Sequence, residues 1–324
     1  MSYTMCSRIT FPANDSRKEL KINFITSVEI QSSWKMLTDT ADVVLPRKLK
    51  IFQGKDMETY FQPGDRIIIE LGYNGNLAKE FEGYIQNVSR GVPVKLHCED
   101  EMYMLKRNTV SYSQRSVTLG KLLKDLCKDY DIVTSFGDTE LGAVRYSNMS
   151  VAAILEDVRK KTGLYSYFIG KTLYCGNVYS DKTELPETRI YLERNAVSQD
   201  LQMTGGEYEV VATALLKGGI KLEAKAGKKG AETVNLNYND KDQSVTLEVL
   251  TKFAERYYEA LKKQKYKGGI ELFGIPSVTH GRVINLSSDI TPEMNGKYYV
   301  EKVTKTFSDN ATYRQKVELG GRFE

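Results

Sequence analysis

The chain has 324 residues, enough for two or three domains with a sizeable core, and its 41% hydrophobic and 27% charged content is that of a folded protein. Lys and Arg total 46 against 42 Asp and Glu, a net charge of +4 that is too small for this length to mark a nucleic-acid-binding surface by itself. No apolar window approaches the ~18 residues that cross a bilayer, and the opening MSYTMCSRITFPANDS lacks the apolar core of a signal peptide, so synthesis in a cytoplasm is expected. Cys6, Cys98, Cys127 and Cys175 are scattered without a CxxC pair, and His97 and His280 are the only histidines. Neither a metal site nor a cofactor is therefore expected, and the thiols should be reduced and mostly buried.

In chain order, residues 19–46 read as strands with polar breaks: ELKINFITSVEIQ, SSWKMLTDT, and ADVVLP closed by Pro46. Leu20, Ile22, Phe24, Val28 and Ile30 alternate with polar residues, the period of a half-buried strand. Pro63-Gly64-Asp65 makes a turn, residues 67–71 a strand, and Tyr73-Asn74-Gly75-Asn76 a type I′ hairpin whose return strand covers residues 81–88. Val92, Val94, Leu96 and Cys98 then alternate, so residues 1–110 are expected to form an antiparallel sheet curled into a barrel.

The pattern changes in TLGKLLKDLCKDYDI, where Leu119, Leu122, Leu123 and Leu126 follow helical spacing. A second helix is predicted in SVAAILEDVRKKTG, with Ser150 as N-cap and Gly163 at its C-terminal end, followed by a hairpin around Gly170-Lys171. Residues 111–188 thus form a small α+β module. Residues 189–324 return to strands, interrupted by a lysine-bearing flexible loop over residues 217–229 and an inserted helix near 246–266. The expected class is α+β and β-rich, with two similar antiparallel barrels flanking the module.

The two ends align by pattern. Gly64-Asp65-Arg66-Ile67-Ile68-Ile69 stands against Gly281-Arg282-Val283-Ile284-Asn285-Leu286, and Gly83-Tyr84-Ile85-Gln86-Asn87-Val88 against Tyr298-Tyr299-Val300-Glu301-Lys302-Val303. The closing strands VPVKLHC and YRQKVEL complete each copy, which predicts a duplicated unit.

Chemical motifs are scarce. Gly170-Lys171-Thr172 ends like a phosphate-binding loop, but Tyr165 stands where the earlier glycine is required and a strand follows. His97 and Cys98 are adjacent in a strand and point to opposite faces, so they cannot act as a base and its nucleophile. His280 is explained by its position in a loop, and Glu156 with Asp157 or Asp129 with Asp131 by solvated helix ends. The lysines of residues 217–229 and Lys262, Lys263, Lys265 and Lys267 could meet phosphates, but no aromatics interleave in the first run.

TDTADVVLP, FQPGDRIIIELGYNG, FEGYIQNVS, the two helical segments, FIGKTLYCG and NGKYYVEKVTKTFSDNATYRQKVELGG together resemble the tail-hub proteins of contractile phages, the late control protein D family. That family is related to the hub part of type VI secretion spike proteins. The resemblance implies a non-enzymatic baseplate subunit of a virion tail or phage-tail-like particle, without specific nucleic-acid binding. It implies a homotrimer whose six similar barrels adapt a six-fold tail tube protein to a three-fold spike, alongside other baseplate proteins. Because Phe323 and Glu324 follow the last strand directly, the spike is expected to be a separate protein. The candidate interface loops are Tyr73, Asn74, Gly75 and Asn76, and Ser308, Asp309 and Asn310. A cell-wall hydrolase or glycan-binding tail component is the alternative, and a nucleic-acid-binding barrel using residues 217–229 a third reading.

Overall fold

The computed structural model describes residues 4–15, 17–46, 60–89, 91, 93–177, 186–203, 207–216, 220–238, 245–263 and 266–323. Val92, Lys217 and Lys265, which figure in the sequence patterns, lie outside the described residues. Alternating apolar residues bounded by turns give β1 (Met5–Phe11), β2 (Leu20–Ile22), β3 (Ser27–Ser33), β4 (Thr40–Val44), β5 (Arg66–Tyr73), β6 (Asn76–Val88) and β7 (Lys95–Glu99). They pair antiparallel in the order β3-β4-β7-β6-β5-β1-β2, and their inward residues, Ile9, Val28, Val43, Ile69, Ile85 and Leu96 among them, bury one core. Asn74 and Gly75 hold φ of 53° and 83°, the type I′ turn that their sequence predicts. SSWKMLTDT is only briefly a strand. From Trp34 it turns, because the Asp39 carboxylate accepts the Ser33 N–H at 3.0 Å and the Ser33 carbonyl accepts the Met36 N–H at 3.1 Å, local bonds that compete with a ladder.

The middle module contains α1 (Met102–Arg107), β8 (Thr109–Gln114), α2 (Leu119–Leu126), β9 (Asp131–Val133), β10 (Val144–Ser150), α3 (Val151–Thr162), β11 (Tyr165–Ile169) and β12 (Thr172–Gly176). Both expected helices are present with their caps. Ser150 Oγ accepts the Ala153 N–H at 3.2 Å, and Gly163, at φ 70°, ends α3 by donating to the Arg159 carbonyl at 2.8 Å.

The last third contains β13 (Glu187–Tyr191), α4 (Leu192–Asn195), β14 (Ala196–Gln199), β15 (Gln202–Met203), β16 (Tyr208–Leu215), β17 (Lys221–Gly227), β18 (Glu232–Tyr238), α5 (Leu247–Lys263), β19 (Tyr266–Lys267), β20 (Gly269–Phe273), β21 (Val283–Ser287), β22 (Gly296–Ser308) and β23 (Thr312–Phe323). The inserted helix is α5, but it does not come alone. With β16, β17 and β18 it encloses a core of its own, built from Val210, Ala212, Ala224, Leu250 and Ala254. The expected flexible lysine loop is therefore corrected: its described part is β17 and the turn after it. In KLEAKAG the inward residues are Leu222, Ala224 and Ala226, while outward Glu223 pairs with both Lys221 and Lys225.

The duplication holds to the level of register. Arg66↔Tyr84 and Ile67↔Gly83 in the first unit correspond to Val283↔Tyr299 and Ile284↔Tyr298 in the second. Gly64 donates to the Ile85 carbonyl and Ile85 to the Asp65 carbonyl, both at 2.8 Å. Their aligned counterparts do the same: Gly281 donates to Val300 at 2.9 Å and Val300 to Arg282 at 2.8 Å. The ladder irregularity between Ile85 and Asn87, opposite Cys98 and His97, recurs between Val300 and Lys302, opposite Leu319 and Glu318. The order β3-β4-β7-β6-β5 recurs as β14-β20-β23-β22-β21. Beyond it, Gln202↔Lys267 matches Gln31↔Thr40, so the α5 unit occupies the place that a short turn fills between β3 and β4.

The expected barrels are corrected in one respect: neither closes through hydrogen bonds among the described residues. The path runs open from β14 to β2, because the edge of β3 that could have closed the first barrel pairs instead with β22, from Ser33↔Lys302 to Ser27↔Ser308. The β22–β23 hairpin thus enters the first unit, where Phe307 and Tyr313 join the first core. At its end Tyr313 Oη donates to Glu80 at 3.0 Å, and Lys305 forms an ion pair with the same carboxylate, their side chains 6% and 1% exposed. Ser277 Oγ donates to Glu80 at 2.9 Å. Removing one member of such a buried pair strands the other charge. Lys305→Ala should cost about 3–5 kcal/mol of unfolding free energy in a urea titration, and Glu80→Gln combined with Lys305→Met should recover part of it. A loss below about 1 kcal/mol for Lys305→Ala would contradict the role of the pair in joining the units.

Candidate assembly surface

The two hairpins singled out in the sequence lie at one end of the first unit, but they do not face outward uniformly. The Tyr73 ring stands 5.4 Å from Tyr313, and its hydroxyl donates to the Tyr313 carbonyl at 3.3 Å, so Tyr73 serves the joint between units. Asn74 is held by its N–H to the Thr4 carbonyl at 2.7 Å and by its Oδ1, which accepts the Thr4 N–H at 2.8 Å. Gly75 donates to Cys6 Sγ at 3.3 Å. In the other hairpin Ser308 pairs with Ser27 and Thr312, and Asp309 donates to the Thr26 carbonyl at 2.9 Å. What remains accessible is Asn74, Gly75, Asn76, Asp309 and Asn310, two rigid polar tips.

The sheet also offers unpaired edges, which the sequence patterns do not reveal because an edge is defined by topology. β14 ends the strand path, and Val197, Ser198 and Gln199 are exposed on it. On β6 the ladder to β5 stops at Arg66↔Tyr84, so among the described residues no strand faces residues 86–89 on that side, where Gln86 and Asn87 are exposed. An unpaired edge is a template for another strand.

The motifs weighed for chemistry have structural employment. Gly170-Lys171-Thr172 is the β11–β12 turn, with Gly170 at φ 61°. Glu156 pairs with Arg159, and Asp157 accepts the Tyr146 hydroxyl at 3.0 Å and lies 3.3 Å from Lys161. His97 pairs with Asp42 at 2.7 Å on the outer face while Cys98 is buried on the inner one. An open cleft of about 1200 Å³ between the middle module and the α5 unit is lined by Arg115, Glu140, Lys252 and Arg256, among others.

His280 sits in a loop, as expected, but it is only 2% exposed. Its ring lies 5.4 Å from Tyr167 of the middle module, and its Nδ1 is 3.5 Å from the Asp39 carboxylate of the first unit. Asp100 joins them, its Oδ2 accepting the Asp39 N–H at 3.2 Å. Burial, then the charge of Asp100, raises the Asp39 carboxyl well above its usual range. Burial also pushes Asp100 up to about 7, against the N–H bonds it accepts from Asp39 and Met102. Burial, then Lys305 and Arg282, pulls His280 down to about 3, so the imidazole stays neutral. All three parts of the chain meet at this cluster, which pins them together.

The signs give a test. The folded pKa of Asp100 is raised, so its contribution is complete below about 4 and is lost as pH rises through about 7. His280 acts in the opposite sense, losing its contribution as pH falls from about 6.5 towards 3. Asp100→Asn should therefore be less stable than the parent at pH 5, and its deficit in urea midpoint should shrink by pH 8. A deficit that is constant across this range would contradict the assignment.

No protein-family model matches the chain, and no curated protein matches it by sequence. Solved structures do match its fold. A tail protein from Neisseria meningitidis MC58 superimposes with a TM-score of 0.69 at 14% identity, covering 98% of this chain and 97% of its own. The 43 kDa tail protein of prophage MuSo2 from Shewanella oneidensis gives 0.65 at 12% identity, over 98% and 96%. An Escherichia coli component of the type VI secretion system, said to be structurally similar to the T4 tail proteins gp27 and gp5, gives 0.57 at 8% identity, over 93% and 74%. The chain has the fold of phage tail proteins and of these secretion-system components, along almost its whole length.

Proposed function

We propose that this chain is a structural, non-catalytic hub subunit in the tail of a phage or of a phage-tail-like injection particle, and that it acts as a homotrimer. The observation that carries this reading is the register-matched duplication. Three copies of a chain with two similar units present six similar units, so a three-fold assembly offers a nearly six-fold ring. Such a ring adapts a six-fold tail tube protein on one side to a three-fold spike on the other. The fold shared with tail proteins from two bacterial sources supports the tail setting. The proposed contacts with tube, spike or other baseplate proteins include the exposed tips at Asn74, Gly75, Asn76, Asp309 and Asn310, where the Asn74 and Asp309 N–H groups are held by the Thr4 and Thr26 carbonyls.

Light scattering on the purified protein at tens of micromolar should give about three times the 36.7 kDa chain mass. A monodisperse monomer at that concentration would overturn the hub reading.

A further inference from the structure

The free strand edges of the chain are the counterparts of the two edges that pair inside it. Within the chain, β3 runs antiparallel to β22 on the side of β22 that also carries β21. In the duplicated order β14 and β15 together stand where β3 stands, and β6 stands where β22 stands. Among the described residues β14 has no strand on its outer side, and β6 has none beyond Ile85 on the side of β5. Neither edge carries the lysine or proline that blunts many solitary edges. Residues 196–203 read AVSQDLQM and residues 86–89 read QNVS, without lysine or proline. β2, at the opposite end of the sheet, is only 3 residues long and carries Lys21, paired at 2.8 Å with Glu19.

We propose that the β14–β15 edge of one chain pairs antiparallel with the residue 86–89 edge of β6 in a second copy, repeating between chains the β3–β22 ladder found within each. The proposal rests on the hub reading and names its subunit contact. By the internal register, Ser32↔Val303 becomes Met203↔Val88 between chains, and Gln31↔Thr304 becomes Gln202↔Ser89. The intermolecular ladder is shorter than the internal one, because the β6–β7 hairpin turns back after Val88↔Leu96 whereas β22–β23 continues to Ser308↔Thr312. Two different edges meeting head to tail is the type of contact that generates a ring. The polar residues Gln86, Asn87, Ser198 and Gln199 suit a ladder with a solvated face.

Cysteines at directly opposed antiparallel positions stand with Cα atoms about 4.5–5.5 Å apart, within disulfide reach. Mild oxidation of the Ser89→Cys, Gln202→Cys double variant should give covalent dimers and trimers on a non-reducing gel, and either single variant alone should not. The internal control, Gln31→Cys with Thr304→Cys, should close within one chain and leave the mass unchanged. A second variant reads the edge without a cross-link. Asp200 donates its N–H to the Gly269 carbonyl at 3.1 Å, so by alternation the N–H of Met203, which this register sets opposite Val88, faces the open edge. Met203→Pro removes that donor, and it should shift the light-scattering mass from trimer to monomer with an unchanged circular dichroism spectrum. A parent trimer without the Ser89–Gln202 link, in which Met203→Pro also remains trimeric, would overturn this pairing and leave the hub reading standing. A parent that is monomeric would overturn both.

Discussion

The ladder between β3 and β22 is the constraint on which the rest of the molecule depends. It turns two sheets of the same design into one continuous sheet, and it does so with an edge that would otherwise have closed the first unit on itself. The hairpin that follows carries Phe307 and Tyr313 into the first core and brings Lys305 to Glu80. A buried charge pair of this kind contributes little net stability compared with an apolar pair, but it tolerates only one arrangement of its partners. Here that arrangement fixes how one unit sits against the next. Asp39, Asp100 and His280 fix the middle module against both.

The copies differ where their roles within one chain must differ. The second unit has a longer β22–β23 hairpin, which grips the first unit, and an α/β insertion in place of a turn. The first unit keeps the short turn at Trp34, whose ring packs edge-on at 5.1 Å against Tyr165 of the middle module. A backbone register that survives such divergence shows where the constraint acts. The glycine-led hydrogen bonds at Gly64 and Gly281, and the irregularity after Ile85 and Val300, set the curvature of each sheet, while the side chains around them have changed.

Much of this was legible in the sequence, for local reasons. Helical spacing with Ser150 and Gly163 at its ends, the Asn-Gly hairpin and the glycine-led repeats all write their geometry into neighbouring residues. The α5 unit was less visible because its strands bury alanines, whose alternation with lysine and threonine is faint, so that only its helix stood out. Closure of the barrels, the inward use of Tyr73 and the burial of His280 depend on segments more than 100 residues apart in several cases, and no local pattern encodes them. The tip at Asn74-Gly75 follows from turn chemistry alone. The open edges at β14 and β6 required the topology.

In the proposed hub each chain brings two matched units, so a trimer would carry six, with the α5 unit on alternate ones. Electron cryo-microscopy of the purified protein, reconstructed without imposed symmetry, tests this most directly. The account predicts a ring of six similar lobes in which three, alternating with the others, carry an extra α/β lobe. Isolated chains, or a ring in which the lobes do not alternate, would contradict it.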